Sequence, residues 1–599
     1  MEKAILTGNE AIARGAWEAG VEVATAYPGT PSTEILENVR LYPDIYCEWS
    51  SNEKVAADVA IGAAYAGQRA MAAMKHVGLN VASESLFYSS YTGINAGLVI
   101  VSADDPGLHS SQNEQDNRHY ARFAKVPMIE PSDSQEAKEM VGVALDISEK
   151  FDTPALLRTT TRTSHAKSIV ELGPRVTHEK RPYEKNPRKY VMIPGFARRR
   201  HPLVMERLQK LAEFAETTDL NRIEKGDSSL GIISAGPSYL YAKEVLPDAS
   251  FLKLGMVWPL PKELIRSFAQ KVDRLIVVEE LDPFIEEFVR LQGLEVEGKR
   301  FFPAVGEFSP EIVRQGAHQA DLVDHPPLER SFDKGVLPMR PPVLCAGCGH
   351  RDLFHILGKL KVAVNSDIGC YALGVMPPLG ATDTIGCMGA SIGVATGMRR
   401  GNLETKNVAV IGDSTFFHAG LPPLASAVYN QTPITVIVAD NRTTAMTGHQ
   451  HHPGTGETLR GEPGNKVDIP AIVRAMGVEE ISVVDSTERD KLEEAIKRAL
   501  DSGKPSVVVA HTPCVFVSPR LREAYEVIEE DCNGCTLCMR IGCPAIYKSE
   551  KVDAKTERPL AWIDPVACVG CGLCYDVCAR QAIREGAPRK DQSLVEAQA

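Results

Sequence analysis

Asn407-Val-Ala-Val-Ile-Gly-Asp-Ser414 is an unbroken apolar run that ends in a small residue and a carboxylate. Such a run reads as a parallel strand buried on both faces. A helical segment around Leu424–Tyr429 follows, then a second apolar run, Ile434–Ala439, which ends in Asp440-Asn441-Arg442-Thr443. Strand, helix and strand in this order predict a doubly wound α/β sheet, where ligands gather at the C-terminal strand ends. Two such ends would bring Asp413 and Asn441 together. A carboxylate, an amide oxygen and a backbone carbonyl near Thr443 are hard ligands suited to Mg²⁺, with a diphosphate and water supplying the rest. Taken singly, Gly412-Asp413-Ser414 also reads as a plain turn. Upstream, Gly386-Cys-Met-Gly389 either lets the backbone approach a cofactor or marks a tight helix–strand contact.

Working outward, residues 340–518 form one α/β unit, with further strands at Val362–Asp367 and Ser506–His511. Residues 1–175 form another, with strands at Val21–Ala26, Gly97–Ser102 and Ala155–Thr159 and an Ala-rich helix at Glu53–Ala66. Residues 176–225 read as a basic connector ending in a helix over Pro202–Glu216. Residues 226–330 form a third α/β unit, with strands at Leu230–Ser234 and Arg274–Glu279. Residues 519–599 change character and become dense in cysteine.

The 599 residues carry a net charge of −12, which argues against nucleic acid as a partner. The stretch 178–209, with Arg198-Arg199-Arg200, is a local exception, read as a solvated face or a seat for a phosphorylated ligand. The longest uncharged run, Ser85–Ala103, is too rich in Ser, Tyr, Asn and Gly for a membrane span. With no secretory pattern at the start, a cytoplasmic protein is expected. Its 14 cysteines are then expected to hold metal rather than disulfides.

Eight of them stand in two motifs, Cys532-x2-Cys535-x2-Cys538-x4-Cys543-Pro544 and Cys568-x2-Cys571-x2-Cys574-x3-Cys578. In two-cluster ferredoxins the fourth cysteine of each motif ligates the other cluster. Cys532, Cys535, Cys538 and Cys578 are therefore assigned to one [4Fe–4S] cluster, and Cys568, Cys571, Cys574 and Cys543 to the other. The first motif has one residue more than usual before its last cysteine, and Ala579 stands where proline is common. Zinc is the competing occupant, since paired CxxC motifs also bind it.

The Gly412-Asp413-Ser414…Asn441 spacing resembles the GDG…N motif of thiamine-diphosphate enzymes, with Ser414 in place of the last glycine. Near the N-terminus stand Tyr27-Pro-Gly-Thr-Pro-Ser-Thr-Glu34 and Glu48-Trp-Ser-Ser-Asn-Glu53; Cys345-Ala-Gly-Cys348-Gly-His350 precedes the third unit. In this order, with the cysteine-rich tail, the motifs resemble the 2-oxoacid:ferredoxin oxidoreductases over essentially the whole chain. The likeness is to the large (alpha) subunit of members that act on aryl pyruvates.

That resemblance implies an α/β multi-domain chain. It has two doubly wound thiamine-diphosphate domains, a transketolase C-terminal-like domain and a two-cluster ferredoxin-like domain. Glu53 is implied as the group on the aminopyrimidine N1′, with Glu48 a weaker candidate, and Thr30 as the residue facing substrate. Gly386, Gly412, Asp413, Ser414, Asn441 and Thr443 would serve the diphosphate and Mg²⁺. Gly29 stands where relatives carry a bulkier residue, which suggests room for a large substrate. Cys345, Cys348, Cys370 and Cys514 would hold a third, proximal [4Fe–4S] cluster; the competing reading is buried structural thiols. His76 and His109 border the expected substrate region; Cys47 and Cys387 receive no role.

The implied reaction is oxidative decarboxylation of indolepyruvate or phenylpyruvate to an aryl-acetyl-CoA, with coenzyme A as co-substrate and ferredoxin as acceptor. A smaller beta subunit, carrying a gamma-type domain, is implied as partner in a heterodimer or dimer of heterodimers. Two other classes compete. A non-oxidative decarboxylase has no use for the tail, and a pure electron carrier has none for Glu53, Asp413 and Asn441.

Overall fold

The computed structural model describes residues 2–328, 341–401, 403–518 and 522–586. It divides into two compact units, 1–333 and 334–599. The boundaries expected at 330–340 and at 519 lie outside the described residues. Among the described residues no helix is long and apolar enough to cross a membrane.

The strands of unit 1 are, in chain order, β1 (Glu2–Thr7), β2 (Val23–Ala26), β3 (Tyr46–Trp49), β4 (Ala70–Lys75), β5 (Leu98–Asp104), β6 (Met128–Ile129), β7 (Ala155–Thr160), β8 (Lys167–Leu172), β9 (Asn221–Glu224), β10 (Asp227–Ala235), β11 (Ala249–Leu254), β12 (Met256–Trp258) and β13 (Leu275–Val278). The main sheet runs β12-β6-β7-β5-β4-β2-β3, parallel except at the β12 edge. Every residue of β5 and β7 is buried, their apolar starts as in other parallel strands and their charged ends because Arg158 pairs with Asp104 (2.8 Å). A second sheet, β13-β10-β11-β9, lies beside it. Its Ile233, Leu252 and Val277 share one core with Ile100 and Leu156 of the main sheet. β12, which follows β11 directly, leaves the second sheet and completes the first.

Helix Glu53–Tyr65 begins where Asn52 accepts from the Val55 amide, and it buries Ala56, Ala57, Ala60, Ile61 and Ala64. The basic connector is bound down onto unit 1. Arg207, Arg200 and Lys189 donate to the carbonyls of Ser90, Tyr91, Thr92 and Ile94, at and just past the end of helix Ser83–Thr92. Lys189 and Arg200 also pair with Asp152. Cations at a helix C-terminus satisfy its orphan carbonyls and its dipole. These three charges thus have internal partners, which gives part of the stretch a structural use.

In unit 2, β14 (Ala363–Ser366), β15 (Thr384–Ile385), β16 (Asn407–Gly412), β17 (Thr435–Asp440), β18 (Glu480–Asp485) and β19 (Ser506–His511) make a parallel sheet, β15-β14-β16-β17-β19-β18. β14, β16, β17 and β19 agree with the expected strands to within a residue. β18 escapes notice because this edge strand, Glu-Ile-Ser-Val-Val-Asp, is half-buried over most of its length and carries no long apolar run. The tail holds two small antiparallel ribbons, β20 (Tyr525–Val527) with β23 (Ile583–Glu585) and β21 (Ile546–Val552) with β22 (Pro559–Ile563). Its cysteines stand mainly in the loops between them.

Candidate cofactor sites

In unit 2, Gly412 of β16 pairs with Ala439 of β17, so Asp413 and Asn441 leave adjacent strand ends. Asp413 Oδ1 accepts from the Ser414 amide (2.9 Å) and Oδ2 from the Arg442 amide (2.7 Å). His452 Nε2 lies 3.1 Å from Oδ2. Asn441 Oδ1 accepts from the Thr443 amide (3.2 Å), which leaves a second lone pair on the amide oxygen. Ser414 Oγ accepts from Thr444 Oγ1 (2.9 Å).

Burial pushes the Asp413 carboxyl up despite His452, and neighbouring Asp440 adds to the rise. Asp440 itself is also penalised by burial, yet His511, Asp413 and Arg442 hold it down at about 2. The donor set of Asp413, Asn441 and backbone oxygen is the hard, oxygen-only kind that suits Mg²⁺.

A third carboxylate, Asp367, follows β14 at the same end of the sheet. It accepts from the amides of Gly389 (2.7 Å) and Ser391 (3.1 Å), and burial raises it to about 6. It thereby anchors the start of helix Ala390–Arg400. Gly389 has φ +85°, and a Cβ there would meet Ala419 Cβ at 2.5 Å, so this glycine serves a tight contact. Gly386 has no positive φ; its Cβ would touch only Ala390, at 3.2 Å.

Four thiols lie beside this pocket. Cys345 and Cys348 precede helix Gly349–Leu360, Cys370 opens the turn after β14, and Cys514 follows β19. Burial raises Cys348 to about 12, with Cys345 and Cys370 adding to it, and raises Cys370 to about 11, with Cys514 and Cys345 adding. Thiols that oppose one another's ionisation this way form one group, which a shared cationic centre would stabilise as thiolates. The Cys514 amide donates to the Asn441 carbonyl (2.9 Å), tying the thiol group to the cation loop. His350 Nε2 is 3.5 Å from Asn441 Nδ2.

The tail holds two thiol-lined cavities. Cys532, Cys535, Cys538 and Cys578 line one, and Cys543, Cys568, Cys571 and Cys574 line the other. The last cysteine of each motif thus sits with the first three of the other. Backbone amides donate to sulfur at Cys568 (Gly570, 3.4 Å) and Cys578 (Ala582, 3.3 Å), which favours thiolate. Ala346 and Gly347, from the turn between Cys345 and Cys348, also line the second cavity. Buried Arg351 fixes that approach by donating to the carbonyls of Ile541 (2.8 Å), Cys345 (3.1 Å) and Leu344.

In unit 1, Glu53 is buried, and a Cβ on Gly78 would come within 2.8 Å of its Cγ and Oε1. The Thr30 carbonyl accepts from Ser110 Oγ (3.2 Å). Glu48 is engaged by Tyr46 and Ser50 on its own segment. His76 is buried with Nε2 3.2 Å from the Asn113 carbonyl, while exposed His109 lies 3.3 Å from Glu307. The space beside Gly29 is filled: a Cβ there would meet Lys75 Cδ at 3.1 Å. Sequence reasoning missed Lys75, and also His452 and Asp367, whose partners come from distant loops.

Residues 14–218 match the family described as pyruvate flavodoxin/ferredoxin oxidoreductase, thiamine diphosphate-binding. Residues 367–510 match the thiamine pyrophosphate enzyme C-terminal TPP-binding domain. The chain thus carries thiamine-diphosphate-binding domains of both kinds. Indolepyruvate oxidoreductase subunit IorA of Archaeoglobus fulgidus is 44 % identical, with 97 % of each chain covered. The proteins of that name from Pyrococcus horikoshii and Methanothermobacter thermautotrophicus are 43 % and 40 % identical, with 98 % and 97 % of each chain covered. At that identity over that length, the chain belongs to the family of indolepyruvate oxidoreductase IorA subunits.

Proposed function

We propose that this chain is the thiamine-diphosphate-dependent subunit of an enzyme that oxidatively decarboxylates aryl pyruvates, among them indolepyruvate and phenylpyruvate. With coenzyme A as co-substrate the products are the aryl-acetyl-CoA, CO₂, a proton and two electrons, the electrons passed singly to ferredoxin. The observation that carries the reading is the hydrogen bond from Cys514 to Asn441, which joins the cation loop to a thiol group that itself abuts a second one.

Thiamine diphosphate, when bound, supplies the carbanion chemistry that releases CO₂. In unit 2, Asp413, Asn441 and a backbone oxygen near Thr443 hold Mg²⁺, with Gly412 and Ser414 shaping the diphosphate seat and Gly386 beside it. His452 and the Arg442 amide orient the Asp413 carboxylate. In unit 1, Glu53 takes the aminopyrimidine N1′ and Thr30 faces the substrate. The thiols hold three [4Fe–4S] clusters. Cys345, Cys348, Cys370 and Cys514 hold the proximal one. Cys543, Cys568, Cys571 and Cys574 hold the next, whose cavity shares Ala346 and Gly347 with the proximal turn. Cys532, Cys535, Cys538 and Cys578 hold the last, in a ferredoxin-like domain, at the exit. Coenzyme A takes the acyl group. A smaller beta subunit completes the enzyme, which works in the cytoplasm.

The test is anaerobic purification with an iron count and a dye assay. About twelve irons per chain, at four per cubane, supports three clusters, and about eight supports two. Thiamine- and CoA-dependent reduction of a viologen by indolepyruvate supports the reaction. A far higher rate with pyruvate overturns the substrate assignment, and aldehyde release without dye reduction overturns the oxidative chemistry.

A further inference from the structure

The main sheet of unit 1 has its topological switch point between β2 and β4. From β2 the chain turns to β3 at one edge, then crosses back to β4 and on to β5 at the other side. Loops leaving adjacent strands in opposite directions open a crevice, the usual ligand position in such sheets. Two segments border it. One is Tyr27-Pro28-Gly29-Thr30, leaving β2; the other is the end of β4 at Lys75.

Lys75 brings a cation to that crevice. Its aliphatic stem lies over Gly29, where the absent side chain makes the space. Its ammonium donates to the Ser110 carbonyl (2.9 Å), and among the described residues no carboxylate pairs with it. The acid next to it, Asp105, is engaged elsewhere. Asp105 Oδ2 accepts from the Ser110 amide (2.8 Å) and Ser111 Oγ (2.6 Å), and Oδ1 from Thr161 Oγ1 (2.7 Å). Asp105 therefore shapes the loop that holds Lys75 and acts on its ammonium at a distance, without an ion pair. Burial pushes the Lys75 ammonium down, and Asp105 and Glu53 offset this only in part. The basic side chains on the neighbouring strand and loop are already paired: Arg158 with Asp104 and Glu130, Arg162 with Glu307, His165 with Glu34.

We propose that Lys75 is the substrate-carboxylate anchor of unit 1: its ammonium binds the carboxylate of the 2-oxoacid beside Thr30. This rests on the 2-oxoacid reading of the function and assigns the one charge all such substrates share. It also gives Gly29 a role different from the expected one. The missing side chain admits the lysine stem rather than the aryl group.

The test uses the complete enzyme with Lys75→Met and Lys75→Arg. With the 2-oxoacid the wild type oxidises best, K75M raises KM about 10- to 100-fold, the range for loss of a charge-assisted hydrogen bond. Its kcat stays within about threefold, and K75R recovers most of the loss. Phenylacetate, a carboxylate that cannot decarboxylate this way, loses affinity for K75M by a similar factor. Neutral phenylacetamide binds both enzymes alike. Thiamine diphosphate affinity, cluster absorption and melting temperature stay at wild-type values. KM and phenylacetate affinity within twofold of wild type in K75M overturn the assignment while leaving the functional reading intact. Loss of thiamine diphosphate binding in K75M also overturns it, because the ammonium then serves the cofactor. A wild-type enzyme that oxidises no 2-oxoacid sinks the functional reading and the assignment together.

Discussion

The two parallel sheets end in crevices of opposite electrical character. In unit 2 the strand ends present three buried acids, of which burial raises Asp413 and Asp367 while His511 and Arg442 hold Asp440 down. In unit 1 the corresponding ends present Lys75, an ammonium without an ion pair among the described residues, and a buried acid, Glu53. On the proposed function the same layer architecture serves two tasks: one crevice holds a metal–diphosphate beside the thiol that Cys514 ties to Asn441, and the other holds the anionic substrate.

This division separates occupancy from rate, and mutations can break it. Asp413→Ala is expected to have the largest effect. It removes the one ionisable ligand of the cation loop, so Mg²⁺-dependent thiamine diphosphate binding and activity fall by at least ~10³-fold, while cluster absorption persists. Calorimetry that still finds wild-type cofactor affinity would falsify the cation-loop assignment. Next comes Cys514→Ser, which should lower the iron count by about four per chain and slow viologen reduction sharply with thiamine diphosphate still bound. An unchanged iron count leaves Cys514 a structural thiol. Glu53→Gln belongs to the other crevice. Cofactor affinity should hold while kcat drops about 10²- to 10⁴-fold, the span for a positioned acid–base group. Loss of the cofactor in this variant erases the distinction between the crevices.

How much of this was legible in the sequence follows from what each feature depends on. The neighbouring positions of Asp413 and Asn441 depend only on strand period and parallel register, so the apolar runs foretell them. The sharing of Cys578 and Cys543 between tail cavities depends on motif spacing, which is equally local. Lys75 was invisible because Ala70-Met-Ala-Ala-Met-Lys75 carries little β-branched signal, and because its meaning comes from lying opposite Gly29 across the switch point. His452 reaches Asp413 from a long irregular loop that has no periodicity to read. The passage of β12 from one sheet to the other is set by tertiary packing, since three residues cannot announce their partner strand. The connector's basic charges looked solvated because their partners, the carbonyls after Ser90 and Asp152, leave no trace in the composition.

Unit 1 also holds a pH-sensitive carboxyl away from its crevice. Where its two sheets meet, Arg118 joins Asp116 to Glu279, and Glu280 accepts from the Phe308 amide (2.7 Å) with no ion pair among the described residues. Burial raises Glu280 from 4.5 to about 7, with Glu130 and Glu307 opposing its ionisation and only Arg158 favouring it electrostatically. A carboxyl whose folded pKa lies above its unfolded value stabilises fully below about 4.5. That contribution is lost as pH rises through about 7, and amounts to on the order of 3 kcal/mol. Glu280→Gln keeps an oxygen for the Phe308 amide and cannot ionise. Its melting temperature should therefore match or fall slightly below wild type at pH 5 and exceed it by a few degrees at pH 8. A gap that stays constant between these pH values means Glu280 is ionised across the range.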